Sequence, residues 1–190
     1  RLLVERSICD VFLEKMVERA KRYTPGNPLD PASSMGAIVD EGQAQRILSF
    51  IEHGRKTSRL VSGGERVTVD GKGCFVQPTI FADVDADDRL SREEIFGPVL
   101  AVSAFDSESE AIARANDTIY GLAASVWTSN LSRAHRVSDQ LRAGTVSVNT
   151  VDALSPMTPF GGFKQSGIGR DLSLHAFDKF SGLKTTWIKY

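Results

Sequence analysis

Two stretches in the first third of the chain carry apolar residues at helical spacing. In the first, Ser7 and Asp10 stand three residues apart, as in a capping box with an acidic residue in place of Glu or Gln, and predict a helix start. The buried face of this helix would carry four apolar residues: Ile8, Phe12, Met16 and Ala20. Asp40 and Gln43 begin a second predicted helix, which we expect to stop at Gly54. Its apolar face would carry Ala44, Ile47, Leu48 and Ile51.

Strand and helix patterns alternate from Val99 onwards. Short apolar runs at 99–102, 123–127 and 145–148 predict three strands. Between them, Ser107 with Glu110 caps one predicted helix, and Asn130 starts another that Gly144 would end. A β-α-β-α-β order calls for parallel strands joined by right-handed crossovers. The sequence therefore predicts an α/β fold with parallel strands.

Four other segments complete the predicted organisation. We expect strands at 2–4 and 75–80, and a short helix with Leu174, Phe177 and Phe180. The segment 151–170 has four glycines and two prolines and little periodicity, and an irregular segment of about twenty residues in a compact domain is usually functional. The apolar stretch 185–189 is expected to form a terminal strand that pairs with another chain.

Composition limits the classes of function that are open to the chain. Its 190 residues are enough for one sizeable core, and a net charge of -1 gives no electrostatic reason to bind nucleic acid or an anionic membrane. No apolar run approaches the roughly 20 residues that span a bilayer, and no secretion-signal pattern opens the chain. Cys9 and Cys74 form no C-x-x-C pair, so we expect two reduced thiols in a cytoplasmic protein.

The segment 93–99 is the most specific candidate site. Glu93 and Glu94 precede Ile95, Phe96 and a Gly-Pro turn. A carboxylate at such a turn can accept two hydrogen bonds from a ribose diol, and a neighbouring aromatic ring can pack against a flat ring. Acidic pairs are more often simply solvated beside a core phenylalanine, so the chemistry of these residues leaves both interpretations open.

Other residues of reactive type have plainer explanations. Gly161-Gly162 and Gly167-x-Gly169 would let a ligand approach the backbone or would form tight turns, and they make no Rossmann fingerprint because no strand precedes them. Cys9 and Cys74 are more typical of packed side chains than of nucleophiles. The histidines fall on separate predicted helices, with no other ligand at metal-binding spacing: His53, His135 and His175. No metal site is therefore expected.

A series of short motifs extends over essentially the whole chain. They are, in order, Leu2-Leu3-Val4, Pro25-Gly26-x-Pro28-Leu29-Asp30, Met35-Gly36, Gly63-Gly64, Gln77-Pro78-Thr79-Ile80, Glu93-Glu94-Ile95-Phe96-Gly97-Pro98-Val99, Ala115-Asn116-Asp117, Tyr120-Gly121-Leu122, Ala143-Gly144-Thr145-Val146, Val148-Asn149 and the block 159–171. Their order and spacing resemble the distal part of the catalytic domain of aldehyde dehydrogenases. This family oxidises aldehydes to carboxylic acids with NAD or NADP. A Cys thiolate attacks the carbonyl, hydride passes to the nicotinamide, and a Glu activates the water that hydrolyses the thioester.

The resemblance implies roles for five residues. Glu94 matches the residue that binds the nicotinamide-side ribose hydroxyls, and Phe96 matches the aromatic that packs near the nicotinamide. Leu154 and Phe160 match walls of the aldehyde pocket. Asp171 stands near the general base, where many members have Glu, and its side chain is shorter by one methylene. The resemblance therefore implies at most a supporting role for Asp171 in proton transfer.

The resemblance also implies how the chain is divided. Residues 1–183 match the distal part of the catalytic domain, and residues 184–190 match a terminal strand used in a homodimer or homotetramer. The family's nucleophilic Cys lies just before the position of Arg1, and its general base and dinucleotide-binding domain lie earlier. Neither Cys9 nor Cys74 matches the nucleophile. We therefore expect a fragment that is inactive alone and whose NAD or NADP is bound mainly by an absent domain.

Three interpretations of function follow. Segments 91–94, 131–136 and 169–176 are similar to the γ-glutamyl-γ-aminobutyraldehyde dehydrogenase group, which oxidises amino- and acylamino-aldehydes from polyamine breakdown. An alternative from another class is a non-catalytic α/β interaction module that assembles through 185–190. A third is a related reductase acting on acyl phosphates or acyl-CoA.

Overall fold

Residues 1–151 and 153–190 are described in a computed structural model of the chain. They divide into two units, Arg1–Ala111 and Ile112–Tyr190. The strands are β1 (Leu2–Glu5), β2 (Arg59–Ser62), β3 (Arg66–Val69), β4 (Lys72–Val76), β5 (Thr79–Ala82), β6 (Val99–Phe105), β7 (Ala123–Val126) and β8 (Thr145–Val148). The helices are α1 (Cys9–Ala20), α2 (Glu41–Thr57), α3 (Arg89–Arg92), α4 (Glu108–Asn116) and α5 (Leu131–Gln140). Short 3-10 turns lie at Arg6–Ile8, Lys164–Ser166 and Leu174–Lys179.

The first unit is built on a four-stranded sheet in the order β1-β6-β5-β2. Strand β6 pairs in parallel with both β1 and β5, and β2 pairs antiparallel with β5. Successive side chains of a strand point to opposite faces, so Phe81 of β5 packs with the α2 cluster while Ile80 and Ala82 pack with the α1 cluster. The sheet therefore lies between α1 on one face and α2 on the other.

Helix α1 confirms the first predicted helix, with a later start and a different buried residue. Ser7 does not cap it, because the Ser7 hydroxyl donates to Glu5 and a 3-10 turn precedes the helix. Leu13 is the buried position, whereas Ile8 is exposed. The predicted residues Phe12, Met16 and Ala20 do pack at the edge of this core. The predicted positions are four residues apart and follow one edge of the apolar stripe, whereas Leu13 lies at its centre.

Helix α2 confirms the second prediction at its start. The Asp40 carboxylate accepts from the backbone N–H of Gln43 at 2.8 Å. The predicted stop at Gly54 was wrong, because the helix continues to Thr57. Gly54 is instead a site of close approach: a Cβ there would lie 2.8 Å from Cζ of Phe81 and 2.9 Å from Cδ1 of Leu90. The glycine is needed for packing rather than for ending the helix.

The single strand expected at 75–80 was wrong. Gln77 and Pro78 separate β4 from β5, and Pro has no N–H with which to continue a ladder. Strand β4 forms a hairpin with β3, and β5 joins the central sheet.

The parallel α/β class is confirmed. The predicted sheet that would contain β6, β7 and β8 together is wrong. Strands β7 and β8 pair in parallel across α5, as predicted. However, β6 does not share their sheet: within residues 1–151 and 153–190, β7 and β8 pair only with each other. The reason is that both edges of β6 are already occupied, by β1 and β5.

The second unit ends in exposed apolar side chains. The short helix predicted after residue 170 is the 3-10 turn Leu174–Lys179, and Leu174, Phe177 and Phe180 are exposed. Residues 181–190 are all exposed, and 185–189 pair with no strand of the described chain. A strand that pairs with another molecule has no partner within one chain, so the division at 183/184 stays a prediction. None of the described helices is long and apolar enough to cross a membrane.

Replacing Gly54 with Ala is expected to destabilise the first unit. Overpacking a filled core costs about 1–3 kcal/mol, and the better helix propensity of Ala offsets up to about 1 kcal/mol. We therefore expect the free energy of unfolding, measured with urea, to fall by about 1 kcal/mol. Gly36→Ala is the matched control, because its Cβ would meet nothing within 4 Å. A Gly54→Ala protein as stable as the control would contradict this packing argument.

Candidate functional site

The segment 93–97, called here the 93–97 loop, alternates between outward and inward side chains. Ile95 is only 8% exposed and belongs to the α2 core, whereas Phe96 is 77% exposed and Glu94 is also exposed. Phe96 has φ +56°, the left-handed region that residues with a Cβ rarely adopt. Such strain tends to cluster at functional sites. The loop therefore presents the two residues that the resemblance assigned to the cofactor, Glu94 and Phe96.

Helix α2 binds the backbone of this loop. The side-chain amide of Gln43 donates to the carbonyls of Ile95, at 3.1 Å, and of Phe96, at 3.0 Å. One turn later, the Arg46 guanidinium donates to the carbonyl of Glu94 at 2.9 Å. Sequence reasoning had placed Gln43 only at the helix start and had given Arg46 no part. No pattern in the sequence joins these residues to a loop some fifty positions away.

The end of the loop lies directly on the same helix. A Cβ at Gly97 would stand 2.5 Å from Cδ1 of Ile47, a fully buried residue. A side chain there would displace the Ile47 side chain, the loop or α2. The Gly-Pro turn is therefore a packing requirement of this site.

The two acidic residues differ in their partners. The Glu93 carboxylate pairs with Arg89 at 3.0 Å and lies 3.9 Å from Arg46. Both guanidinium groups lie over the ring of Phe50, at 3.8 Å and 5.0 Å from its centroid. Within the described chain the Glu94 carboxylate has no hydrogen bond or ion pair. Glu93 is thus a structural residue, and the acceptors of Glu94 are left for another molecule or for water.

The start of α2 is itself anchored to the β3–β4 hairpin. Arg66 donates to both carboxylate oxygens of Glu41, at 2.6 Å and 2.7 Å, and Gln45 donates to one of them at 2.7 Å. The Cys74 thiol lies 3.1 Å from the second oxygen. These hydrogen bonds, that from Arg66 above all, lower the pKa of Glu41 to about 2.

Neither cysteine has the environment of a nucleophile. Burial raises the pKa of the Cys9 thiol, so the helix dipole does not activate it. The hydrogen bond to Glu41 is the main cause of a raised pKa at Cys74. A catalytic Cys needs a lowered thiol pKa, so both residues fit the plainer interpretation that the sequence suggested.

In the second unit, the segment of Leu154 and Phe160 is joined to the segment of Asp171. Phe160 and Asp171 exchange two backbone hydrogen bonds, at 2.8 Å and 2.7 Å. The N–H of Ser173 donates to the carbonyl of Pro156 at 2.8 Å. Leu172 and Ser173 are successive residues with φ +60° and +52°. Backbone strain thus marks this segment as it marks the 93–97 loop.

The side chains of this region present apolar surface and one ion pair. Leu154 is 55% exposed and Phe160 is half-buried, so both have surface to offer a ligand. The Asp171 carboxylate accepts from Lys179 at 2.6 Å, a partner that sequence reasoning missed. The five predicted residues therefore fall into two sets, with Glu94 and Phe96 in the first unit and Leu154, Phe160 and Asp171 in the second.

The glycine clusters and His53 have structural roles. Gly167 and Gly169 have φ +104° and +84°, values typical of turns. A Cβ at Gly161 would lie 2.4 Å from the carbonyl of Gly169, so the backbone itself fills the space around it. His53 lies 3.0 Å from the Asp88 carboxylate, which also caps α3. In the described ranges, no three His, Cys, Asp or Glu side chains are grouped as a metal site would require.

Comparison with known proteins identifies the family. The model of the aldehyde dehydrogenase family matches residues 1–186. The chain belongs to the aldehyde dehydrogenase family. It is 51% identical to the NADP/NAD-dependent aldehyde dehydrogenase PuuC of Escherichia coli K12, over 99% of this chain and 37% of that protein.

Solved structures of aldehyde dehydrogenases have the same fold. The indole-3-acetaldehyde dehydrogenase AldA of P. syringae, solved with NAD+ and IAA, is 55% identical with a TM-score of 0.95, over 100% of this chain and 39% of its own. The γ-glutamyl-γ-aminobutyraldehyde dehydrogenase of Burkholderia cenocepacia is 59% identical with a TM-score of 0.91, over 94% and 36%. The chain thus spans less than two fifths of the length of these relatives.

Replacing Arg66 with Gln is expected to raise the pKa of Glu41 from about 2 towards its ordinary value of 4.5. The carboxyl carbon of Glu41, followed by NMR during acid titration, measures the change. Because the folded-state pKa is lowered, the ion pair stabilises the folded chain above the ordinary pKa, and this stabilisation is lost as the pH falls through about 2. The Arg66→Gln variant should lose less stability over that pH range, because the hydrogen bonds from Gln45 and Cys74 remain.

The matched control for this titration is Arg55→Gln. Arg55 also pairs with a carboxylate of the same unit, that of Glu65 at 2.6 Å, and does not contact Glu41. The pKa of Glu41 should stay at about 2 in the control. An equal rise in both variants would show that the general positive charge of the unit, rather than the Arg66 hydrogen bonds, lowers this pKa.

Proposed function

We propose that this chain is the distal part of a longer NAD- or NADP-dependent aldehyde dehydrogenase, which converts an aldehyde and water to a carboxylic acid through a Cys thioester. The observation that carries the proposal is the 93–97 loop. There, a Glu94 carboxylate with no partner among the described residues and an exposed, left-handed Phe96 stand on either side of a buried Ile95. A bulky side chain such as Phe rarely adopts the left-handed conformation, and strain of this kind tends to cluster at functional sites.

The two presented side chains fit the nicotinamide half of a dinucleotide. An ionised carboxylate only accepts hydrogen bonds, and its two oxygens can receive both hydroxyls of a ribose diol. The exposed ring of Phe96 gives a flat apolar surface for an aromatic base. NAD or NADP, when bound, supplies the hydride acceptor. In this proposal, Glu94 binds the ribose and Phe96 packs beside the nicotinamide ring.

The second unit would contribute to the aldehyde pocket. Leu154 and Phe160 offer apolar surface on one loop. Backbone hydrogen bonds of Phe160 with Asp171 and of Pro156 with Ser173 join this loop to the neighbouring segment. Apolar walls exclude water and orient an aldehyde. Asp171, paired with Lys179, is assigned a supporting part in proton transfer only. The raised thiol pKa values of Cys9 and Cys74 support a nucleophile that comes from outside these residues.

Two classes of aldehyde are candidates for the substrate. An amino- or acylamino-aldehyde of polyamine catabolism is favoured by the similarity to PuuC and to the Burkholderia γ-glutamyl-γ-aminobutyraldehyde dehydrogenase. An aryl acetaldehyde is the second candidate, because AldA, with a TM-score of 0.95, is an indole-3-acetaldehyde dehydrogenase. A cytoplasmic location belongs to the same proposal, since both cysteines are free thiols.

The full-length protein is expected to reduce NAD or NADP when supplied with one of these aldehydes, whereas the 190 residues alone should show no turnover. Comparing kcat/KM for γ-glutamyl-γ-aminobutyraldehyde and indole-3-acetaldehyde would decide between the substrate classes. Absence of activity in the full-length protein with any aldehyde, or cofactor reduction by the 190 residues alone, would contradict the proposal. The first outcome would favour the non-catalytic interaction module or the acyl reductase.

The site itself is tested in the same assay with Glu94→Gln. Losing the charge that accepts the ribose hydroxyls should raise the cofactor Kd about tenfold, the factor for a charge-assisted hydrogen bond of about 1.5 kcal/mol. Glu14→Gln is the control, because Glu14 is an equally exposed carboxylate on α1. Thermal stability should change in neither variant. Equal cofactor affinity in the two variants would remove Glu94 from the site.

The proposed enzyme is a homodimer or homotetramer that assembles through the terminal strand. Trp187 and Ile188 are exposed at 93% and 70%, next to an unpaired backbone. An extended segment of this kind can add to the sheet of a second copy through its main-chain hydrogen bonds. Burying both apolar side chains would then stabilise the assembly.

Removing residues 185–190 is expected to reduce the assembly to a smaller species in sedimentation velocity. The physical reason is the loss of both the pairing backbone and the apolar side chains of Trp187 and Ile188. Lys189→Ala, which keeps both, is the control and should sediment as the unaltered protein. Unchanged sedimentation of the truncated protein would show that another surface holds the subunits together.

A further inference from the structure

We propose that Gln43 is a positioning residue: its side-chain amide fixes the left-handed backbone of Phe96 and thereby sets where the Phe96 ring and the Glu94 carboxylate stand. The inference deepens the proposed function and rests on it, since these are the side chains assigned to the cofactor. Gln43 acts through the backbone of the loop.

The two hydrogen bonds of Gln43 bracket a single residue. Its amide nitrogen donates to the carbonyl before the Cα of Phe96, that of Ile95, and to the carbonyl after it, that of Phe96 itself. The conformation of a residue is set by rotation about the two backbone bonds at its Cα. One NH2 group that binds both flanking carbonyls therefore restrains φ and ψ of Phe96 together.

A restraint is needed at this point because the conformation is intrinsically unfavourable. Phe96 has a Cβ and a positive φ of 56°, and its exposed ring makes little packing contact that could hold it there. Burial of Ile95 fixes the residue before it, and the contact of Gly97 with Ile47 fixes the residue after it. Between these two fixed points, the amide of Gln43 is the polar group that binds Phe96 directly.

Gln43 can do this because its own position is rigid. Its backbone N–H is bound by the Asp40 cap at 2.8 Å, and the next residue, Ala44, is fully buried. Glu41, two residues earlier, is tied to the β3–β4 hairpin through Arg66. The first turn of α2 is thus held on both sides, so the backbone from which the Gln43 side chain extends is fixed.

The test uses the full-length protein and two substitutions of opposite chemistry. Gln43→Met keeps the length of the side chain and removes both donors, whereas Gln43→Lys keeps a donor that can reach the same carbonyls. Gln45→Met is the matched control: Gln45 is on the same helix, and its side-chain hydrogen bond among the described residues goes to Glu41, one turn away. Two readouts are taken, the Kd for NAD and NADP, and fluorine NMR of para-fluorophenylalanine placed at position 96 without cofactor.

We expect Gln43→Met to shift or broaden the fluorine signal and to weaken cofactor binding about tenfold, as for the loss of hydrogen bonds worth about 1.4 kcal/mol. Gln43→Lys should restore both readouts, and Gln45→Met should change neither. In a Phe96→Ala background, Gln43→Met should cost less affinity than it does alone, because the two residues act as a unit.

The outcomes separate this inference from the function on which it rests. A wild-type protein that binds neither NAD nor NADP would overturn the proposed function. An unchanged fluorine signal in Gln43→Met would overturn the role of Gln43 whether or not cofactor binds. An equal loss of affinity with and without the Phe96 ring would also overturn it, since Gln43 would then act by a route that does not involve Phe96.

Discussion

The hydrogen bonds from α2 to the 93–97 loop are the constraint on which the candidate cofactor site depends. They bind three successive carbonyls, those of Glu94, Ile95 and Phe96, while Ile95 is packed in the core below. A loop that satisfies its carbonyls in this way can place one buried side chain between two exposed ones. The strain at Phe96 is therefore supported by the core of the first unit, and α2 links that core to the chemistry proposed for the loop.

In the second unit, a candidate ligand-binding loop is held in place by different contacts. The loop of Leu154 and Phe160 is held by backbone hydrogen bonds, which join Phe160 with Asp171 and Pro156 with Ser173. Strain is again present, at Leu172 and Ser173. In both units the residues assigned to ligands stand beside left-handed residues with a Cβ, which is where backbone strain and function most often coincide.

Local signals in the sequence were sufficient for most of the elements. The caps predicted at Asp40, Ser107 and Asn130 are all formed. Each of these is a bond between residues three positions apart, so the information is in the sequence itself. Predictions that required knowledge of neighbours failed: Gly54 was taken as a helix end because its contact with Phe81 and Leu90 cannot be seen in the chain order.

The sequence by itself determined the α/β class, the family and the identity of Glu94 and Phe96 as candidates, because capping, apolar periodicity and motif order are properties of short segments. Only the tertiary structure decided that Arg46 lies beside Glu93 while the Glu94 carboxylate has no partner in the described chain, and that Gln43 binds the backbone around Phe96. It also decided that β6 pairs with β1 and β5 instead of joining β7. The physical reason is common to all three: each depends on contacts between residues far apart in sequence, which exist only once the chain has packed.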